Sequence, residues 1–209
     1  NPNISDRGSS TEDPPFLYIT TNNYLSNRYE VNPLSWDWNT VFVRYCDGAS
    51  FSGNNESEIV AEDGTRIYFK GFNNLNAVMD TLRDEYGLLD ATDVLLTGSS
   101  AGGLAVYLHT DFIADYLGIT GNGDDTINFM AMADSGWFMD YEGKGQYADC
   151  MRWIFEEQNT SIALNEECME HNDQGYKCMF AQHTAPYIKS KMMALQSRFD
   201  AWQTTHELW

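Results

Sequence analysis

Twelve residues constrain this chain more than any others. Asp93-Val-Leu-Leu-Thr-Gly98-Ser-Ser100-Ala-Gly102-Gly-Leu104 carries four apolar or β-favouring residues straight into Gly-x-Ser-x-Gly, and a helical pattern follows at once. A serine in that context predicts a nucleophile elbow, a strand-to-helix turn so tight that the central residue is strained and its neighbours two positions away must lack bulk. Gly98 and Gly102 meet that demand around Ser100. The backbone N–H of Ala101, at the positive end of the following helix, would then face the oxygen that becomes negative in acyl transfer. Ser100 is the candidate nucleophile and Ala101 the candidate oxyanion donor. The bland alternative is that a Gly/Ser cluster is only turn punctuation, and the strand before it and the helix after it argue against that.

The bulk of the chain sets the frame for that turn. A length of 209 residues suits one substantial core, so a single domain over 1–209 is expected. Hydrophobic content of 43% with no apolar run near 18 residues describes a globular rather than a membrane-spanning chain. A formal net charge of −19 argues against nucleic acid and anionic membrane surfaces as partners, and it complicates a polyanionic substrate. The cysteines Cys46, Cys150, Cys168 and Cys178 form no Cys-x-x-Cys pair, so neither a metal nor another cofactor is expected. The segment between Cys168 and Cys178 is polar and has little to hold it except a crosslink. Sequons at Asn3, Asn55 and Asn159 point, with that loop, to a secreted protein.

Taken in order, residues 1–35 look like loop with one short strand at Phe16–Thr20. Thr40-Val-Phe-Val-Arg-Tyr45 suits a buried strand, and it empties into the small-residue loop Cys46-Asp47-Gly48-Ala-Ser-Phe-Ser-Gly53. Such a loop at a strand end is where open α/β sheets build sites, which makes Asp47 and Gly48 candidate pocket residues; it also reads as an ordinary glycine-containing turn. Thr65–Phe69 can form a hairpin arm. Phe72, Leu75, Val78, Met79 and Leu82 make one apolar helix face that ends near Gly87. After the elbow the helix is too apolar for the surface, and His109 on it reads as a packing or surface histidine rather than a base.

Residues 126–133 read as the next strand, and Asp134-Ser-Gly-Trp137-Phe138 follows it as a turn whose aromatics either wall a pocket or belong to the core. A helix over Cys150–Glu157 and a late strand over Met192–Phe199 complete the pattern, with Asp200 just past that strand. Alternating strands and helices with candidates at strand ends predict an α/β fold of the α/β-hydrolase type, a mostly parallel sheet flanked by helices, in which serine precedes acid and acid precedes histidine. Asp200 fits the acid's place. His206 follows it too closely to serve as the base.

These motifs also resemble a known family. Trp38 to Gly53, Ala77-Val-Met-Asp80, Gly98-Ser-Ser-Ala-Gly-Gly103 and Ala133-Asp-Ser-Gly-Trp-Phe138 closely resemble the pectin acetylesterase/Notum family of serine carboxylesterases. The resemblance implies a secreted α/β-hydrolase with the nucleophile at Ser100, the acid at Asp200 and a cysteine pair at Cys168 and Cys178. It also implies that the family's glycine-rich oxyanion segment precedes Asn1 and that its catalytic histidine follows Trp209. The fold is thus expected to be incomplete at both ends, and the chain alone to be inactive.

The function expected is hydrolysis of acyl, above all acetyl, esters of a polysaccharide such as pectin by a monomeric extracellular or cell-wall enzyme. A Notum-like deacylase acting on a long acyl chain would need a deep apolar pocket, which acetyl does not. A non-catalytic secreted glycan- or protein-binding relative is the alternative from another class.

Overall fold

The structure, a computed structural model, describes residues 24–141 and 145–206. The sequence-predicted strand at 16–20 and the sequon at Asn3 lie outside the described residues. The chain divides into two compact units, Asn1–Cys46 and Asp47–Trp209. The described part of the first unit consists of turns organised by Asn32. Its side-chain amide donates to the carbonyls of Tyr24 and Ser26 and to Ser35 Oγ, while its Oδ1 accepts the Ser35 N–H. The strand expected at Thr40–Tyr45 does not form among the described residues, and Val41 and Phe42 are exposed. A β-favouring run becomes a strand only where a neighbouring backbone completes its ladder.

The second unit begins its regular structure with a short antiparallel hairpin, β1 (Ile59–Val60) on β2 (Arg66–Ile67). Helix α1 (Gly71–Tyr86) follows and buries Leu75 and Met79, two members of the face that the sequence spacing picks out. Strand β3 (Asp93–Ser99), helix α2 (Ala101–Tyr116) and strand β4 (Asn128–Asp134) come next. Helices α3 (Gly145–Glu157), α4 (Glu166–His171) and α5 (Ala181–Thr184) lead to strand β5 (Met192–Leu195) and to helix α6 (Ala201–His206). The sheet is parallel in the order β3-β4-β5. β5 is four residues long and stops before the expected Phe199, because the chain beyond it turns to bring Asp200 onto the start of α6.

Helix α2 is the structural centre. It is predominantly apolar and is buried through Gly103–Thr110 and again at Ile113 and Ala114, with Asp111 and Asp115 on its more open side. Leu104, Tyr107 and Leu108 pack in one core with Ala131 and Ala133 of β4, Met151 of α3 and Phe180. Ile113, Ala114 and Leu117 pack in a second core with Leu75 and Met79 of α1 and Phe129. Each fully buried leucine stabilises by about 1.5–3 kcal/mol, so one helix anchored in two cores holds its N-terminus firmly in place. Cys168 on α4 and Cys178 are both fully buried and joined by a disulfide, which closes the polar segment between them. Cys46 and Cys150 are free and exposed. Among the described residues no helix is long and apolar enough to cross a membrane.

Candidate active site

The register of the sheet decides which residues meet at its C-terminal edge. Ser99 pairs with Asp134, and Asp134 with Leu195, so the next residues along, Ser100, Ser135 and Gln196, leave three adjacent strand ends together. The ladder runs one step further in each case. Ser100 N–H donates to Asp134 O at 2.9 Å, and Ser135 N–H donates to Leu195 O at 2.7 Å. Both serines then turn through positive φ, +57° at Ser100 and +54° at Ser135. For a residue with a Cβ these are strained conformations, held by the structure around them.

Close backbone approach explains the glycines, with one difference from the sequence reading. A Cβ on Gly98 would stand 2.3 Å from Gly102 O, so Gly98 must be bare, whereas a Cβ on Gly102 would point into open space. Gly102 serves by bringing its backbone against Gly98. The second bare contact is Gly103 against Gly136, where a Cβ on Gly136 would lie 2.2 Å from Gly103 C. These two contacts draw the start of α2 onto β3 and onto the turn after β4.

Ser100 and Asp200 line one cleft of about 400 Å3, together with Ser135, Ser197, Phe138, Phe199, Ala201 and Trp202. The Asp200 carboxylate accepts the Trp202 and Gln203 N–H groups through Oδ1, and the Gln196 and Gln203 side-chain amides through Oδ2. The Gln203 N–H above all, with the other three donors, holds this carboxyl below its usual range. Ala101 opens α2 directly after Ser100, so its N–H lies at the positive end of that helix. Its carbonyl accepts the Ser50 hydroxyl at 2.9 Å.

The remaining sequence candidates lie elsewhere. The Asp47 carboxylate is turned into its own loop and accepts the N–H groups of Ala49, Phe51 and Gly53; burial pushes its pKa up against those three bonds. Neither Asp47 nor Gly48 lines the cleft with Ser100. Trp137 does not line the cleft and meets Tyr107 edge-on, while Phe138 lines it. All four histidines are engaged away from Asp200. His109 is buried, donates from Nε2 to Ser50 O at 2.8 Å, and is driven down to about 4 by burial, so it is neutral. His171 and His206 donate from Nδ1 to the carbonyls of Glu167 and Trp202, and His183 meets Asp140 at 2.9 Å. Sequence reasoning missed Ser135, Gln196, Gln203 and Trp202. The only local signal for any of them is their position just past a strand or beside Asp200.

A parallel sheet with a strained serine between β3 and a buried helix, and an aspartate beyond β5, defines an α/β-hydrolase-type chain. Comparison with known proteins narrows that class. Residues 3–209 match the family described as Pectinacetylesterase. Pectin acetylesterase 5 of Arabidopsis thaliana is 34% identical over 187 residues, covering 88% of this chain and 42% of that protein. The palmitoleoyl-protein carboxylesterase NOTUM of Homo sapiens is 30% identical over 192 residues, covering 87% and 37%. The solved structure of the Wnt deacylase Notum from Drosophila superposes with a TM-score of 0.82 at 26% identity, covering 97% of this chain and 58% of that one. The chain belongs to the pectinacetylesterase family, and it spans about two-fifths of the length of the curated relatives it matches.

Proposed function

We propose that the protein is a serine carboxylesterase that removes acyl groups, foremost O-acetyl, from a polysaccharide such as pectin. The observation that carries this reading is the strained Ser100 at the C-terminal edge of β3, sharing one cleft with Asp200. Ser100 Oγ attacks the acyl carbon while a histidine takes its proton, and Asp200 orients that imidazole. The tetrahedral oxyanion gathers at the Ala101 N–H and the positive end of α2. The alcohol leaves with the proton, and water then releases the acid from Ser100. None of the four histidines of the chain lines the cleft with Ser100 and Asp200, which favours a base supplied from outside these residues.

A net charge of −19 disfavours highly acidic pectin and favours a glycan of low charge. A second reading, removal of a longer acyl chain, draws support from the aromatic walls of the cleft, Phe138, Phe199 and Trp202. The buried Cys168–Cys178 disulfide supports an extracellular setting. So does the exposed Asn159 sequon, whose amide donates to Asn54 O at 3.4 Å; Asn55 of the other described sequon is half-buried and donates to Glu157 O at 2.6 Å. A monomer without cofactor suffices for this chemistry.

The test treats the complete gene product with a fluorophosphonate probe and compares p-nitrophenyl acetate with p-nitrophenyl palmitate. Labelling and acetate turnover that survive Ser99→Ala and vanish in Ser100→Ala are expected. Preference for palmitate would select the long-chain reading. An unlabelled protein that binds acetylated glycans would leave the non-catalytic one.

A further inference from the structure

Two glutamines outside the proposed triad connect the wall of the cleft to its acid. Gln203 is the one buried residue of α6. Its Oε1 accepts the Met139 N–H at 3.1 Å, and its Nε2 donates to Trp137 O at 2.9 Å and to Asp200 Oδ2 at 3.2 Å. Gln196, just past β5 and exposed, repeats the arrangement from the other side. It accepts the Trp137 N–H at 3.0 Å and donates to the same Asp200 Oδ2 at 3.0 Å. Both backbone polar groups of Trp137 are therefore taken by glutamine side chains, and both glutamines spend an amide hydrogen on one carboxylate oxygen. A buried amide whose every polar atom is matched fixes its neighbours as well as itself, because any shift leaves a desolvated group without a partner.

We propose that Gln196 and Gln203 are positioning residues that lock the Asp200 carboxylate to the Trp137–Met139 segment, whose Phe138 lines the cleft. The proposal rests on the reading of Ser100 and Asp200 given above. Four donors, two on each oxygen, already hold this carboxylate, so its rotation is fixed before any imidazole arrives, and the imidazole N–H has to share an oxygen with one of them or displace it. Phe138, held between the two clamped residues, lines the cleft and meets Trp202 edge-on at 5.3 Å. An acyl group that presses on Phe138 therefore presses on the frame that aims the acid. Recognition of the acyl group and orientation of the base become one mechanical property.

The experiment measures kcat, KM and the pH profile of p-nitrophenyl acetate hydrolysis by the complete gene product. Its variants are Gln196→Leu, Gln203→Met and Gln203→Glu, with Ser100→Ala and Asp200→Asn as references and thermal unfolding as a folding control. Gln196→Leu and Gln203→Met are each expected to lower kcat by about 10- to 100-fold, the range for losing hydrogen bonds to a charged group, with KM little changed. Their double variant should lose less than the product of the two, since both act on one oxygen. Gln203→Glu sets a second negative charge beside the acid, so the acidic limb of kcat/KM should move up by about one pH unit. Parent-like kcat and an unmoved limb in all three, with Ser100→Ala and Asp200→Asn inactive, would overturn the clamp alone. Losses that only follow the fraction unfolded would do the same. Activity retained in Ser100→Ala and Asp200→Asn would overturn the esterase reading and the clamp with it. Should Gln203→Met fail to fold, the exposed Gln196→Leu decides.

Discussion

Replacing Ser100 by glycine should make the protein more stable while abolishing its proposed nucleophile. Ser100 has φ +57° and ψ −122°, a region that residues with a Cβ enter at a cost of about 1–3 kcal/mol and that glycine enters freely. Glycine also gives the unfolded chain more freedom, which offsets about 0.5–1 kcal/mol of the relief. The balance is a gain of about 0.5–2 kcal/mol. Ser100→Ala keeps the Cβ and therefore the strain, and the backbone bonds from Ser100 N–H to Asp134 O and from Leu104 N–H to Ser100 O survive in both variants. The order glycine above alanine reverses the usual one. For a chain of this length each 1 kcal/mol moves Tm by about 2–4 °C, so Ser100→Gly should melt about 1–8 °C above Ser100→Ala. Ser99, the last residue of β3, is the control, and Ser99→Gly should lose stability in the ordinary way. Calorimetry with guanidinium unfolding gives both quantities. If Ser100→Gly melts at or below Ser100→Ala, no strain is stored at this serine, and the physical case for the elbow fails.

Gly136→Ala forces a Cβ to within 2.2 Å of Gly103 C and should cost about 1–3 kcal/mol in urea unfolding, together with loss of fluorophosphonate labelling. Gly102→Ala meets open space and should instead gain about 0.5–1 kcal/mol by helix propensity, read in the same titration. Opening the Cys168–Cys178 bridge by paired alanines should cost about 3 kcal/mol on the chain-entropy model, and mass spectrometry of the non-reduced parent should show no free thiol at either position. His109, neutral in the fold at about 4 against an ordinary value near 6.5, must be deprotonated to stay buried. Its contribution is thus fully present above about pH 6.5 and is lost as pH falls towards 4, by about 3 kcal/mol in all, and His109→Gln should flatten that slope in pH-dependent unfolding.

What was legible in the sequence was local. Gly98, Ser100 and the apolar run before them specify a turn within a few residues, and the Leu75/Met79 face of α1 is set by helical period alone. The Thr40–Tyr45 run shows the limit of such reading, since its composition favours a strand but a strand also needs a partner. Asp47 shows another. A carboxylate in a small-residue loop at a strand end looks available to a ligand, yet the same short side chain can fold back on the N–H groups of Ala49, Phe51 and Gly53. Gln196 and Gln203 were invisible for a third reason. Amide residues carry no period and no motif, and their partners Trp137 and Met139 reach them only through the pairing of β4 with β5.

That pairing is why the ends of the strands matter more to this site than their middles. In a parallel sheet a slip of one residue turns every side chain to the opposite face, and here it would carry Gln196 away from Trp137 and Asp200. The two backbone bonds that continue the ladder past the strands, Ser100 N–H to Asp134 O and Ser135 N–H to Leu195 O, hold the register at the edge where the slip would do most harm. The bare contacts of Gly98 with Gly102 and of Gly103 with Gly136 then fix the elbow to β3 and to the turn after β4, and the glutamines fix that turn to Asp200. Nucleophile, cleft wall and acid are thereby joined through backbone atoms at every step but the last. The last step is made by side chains, so substitution there can loosen the acid while the fold stands.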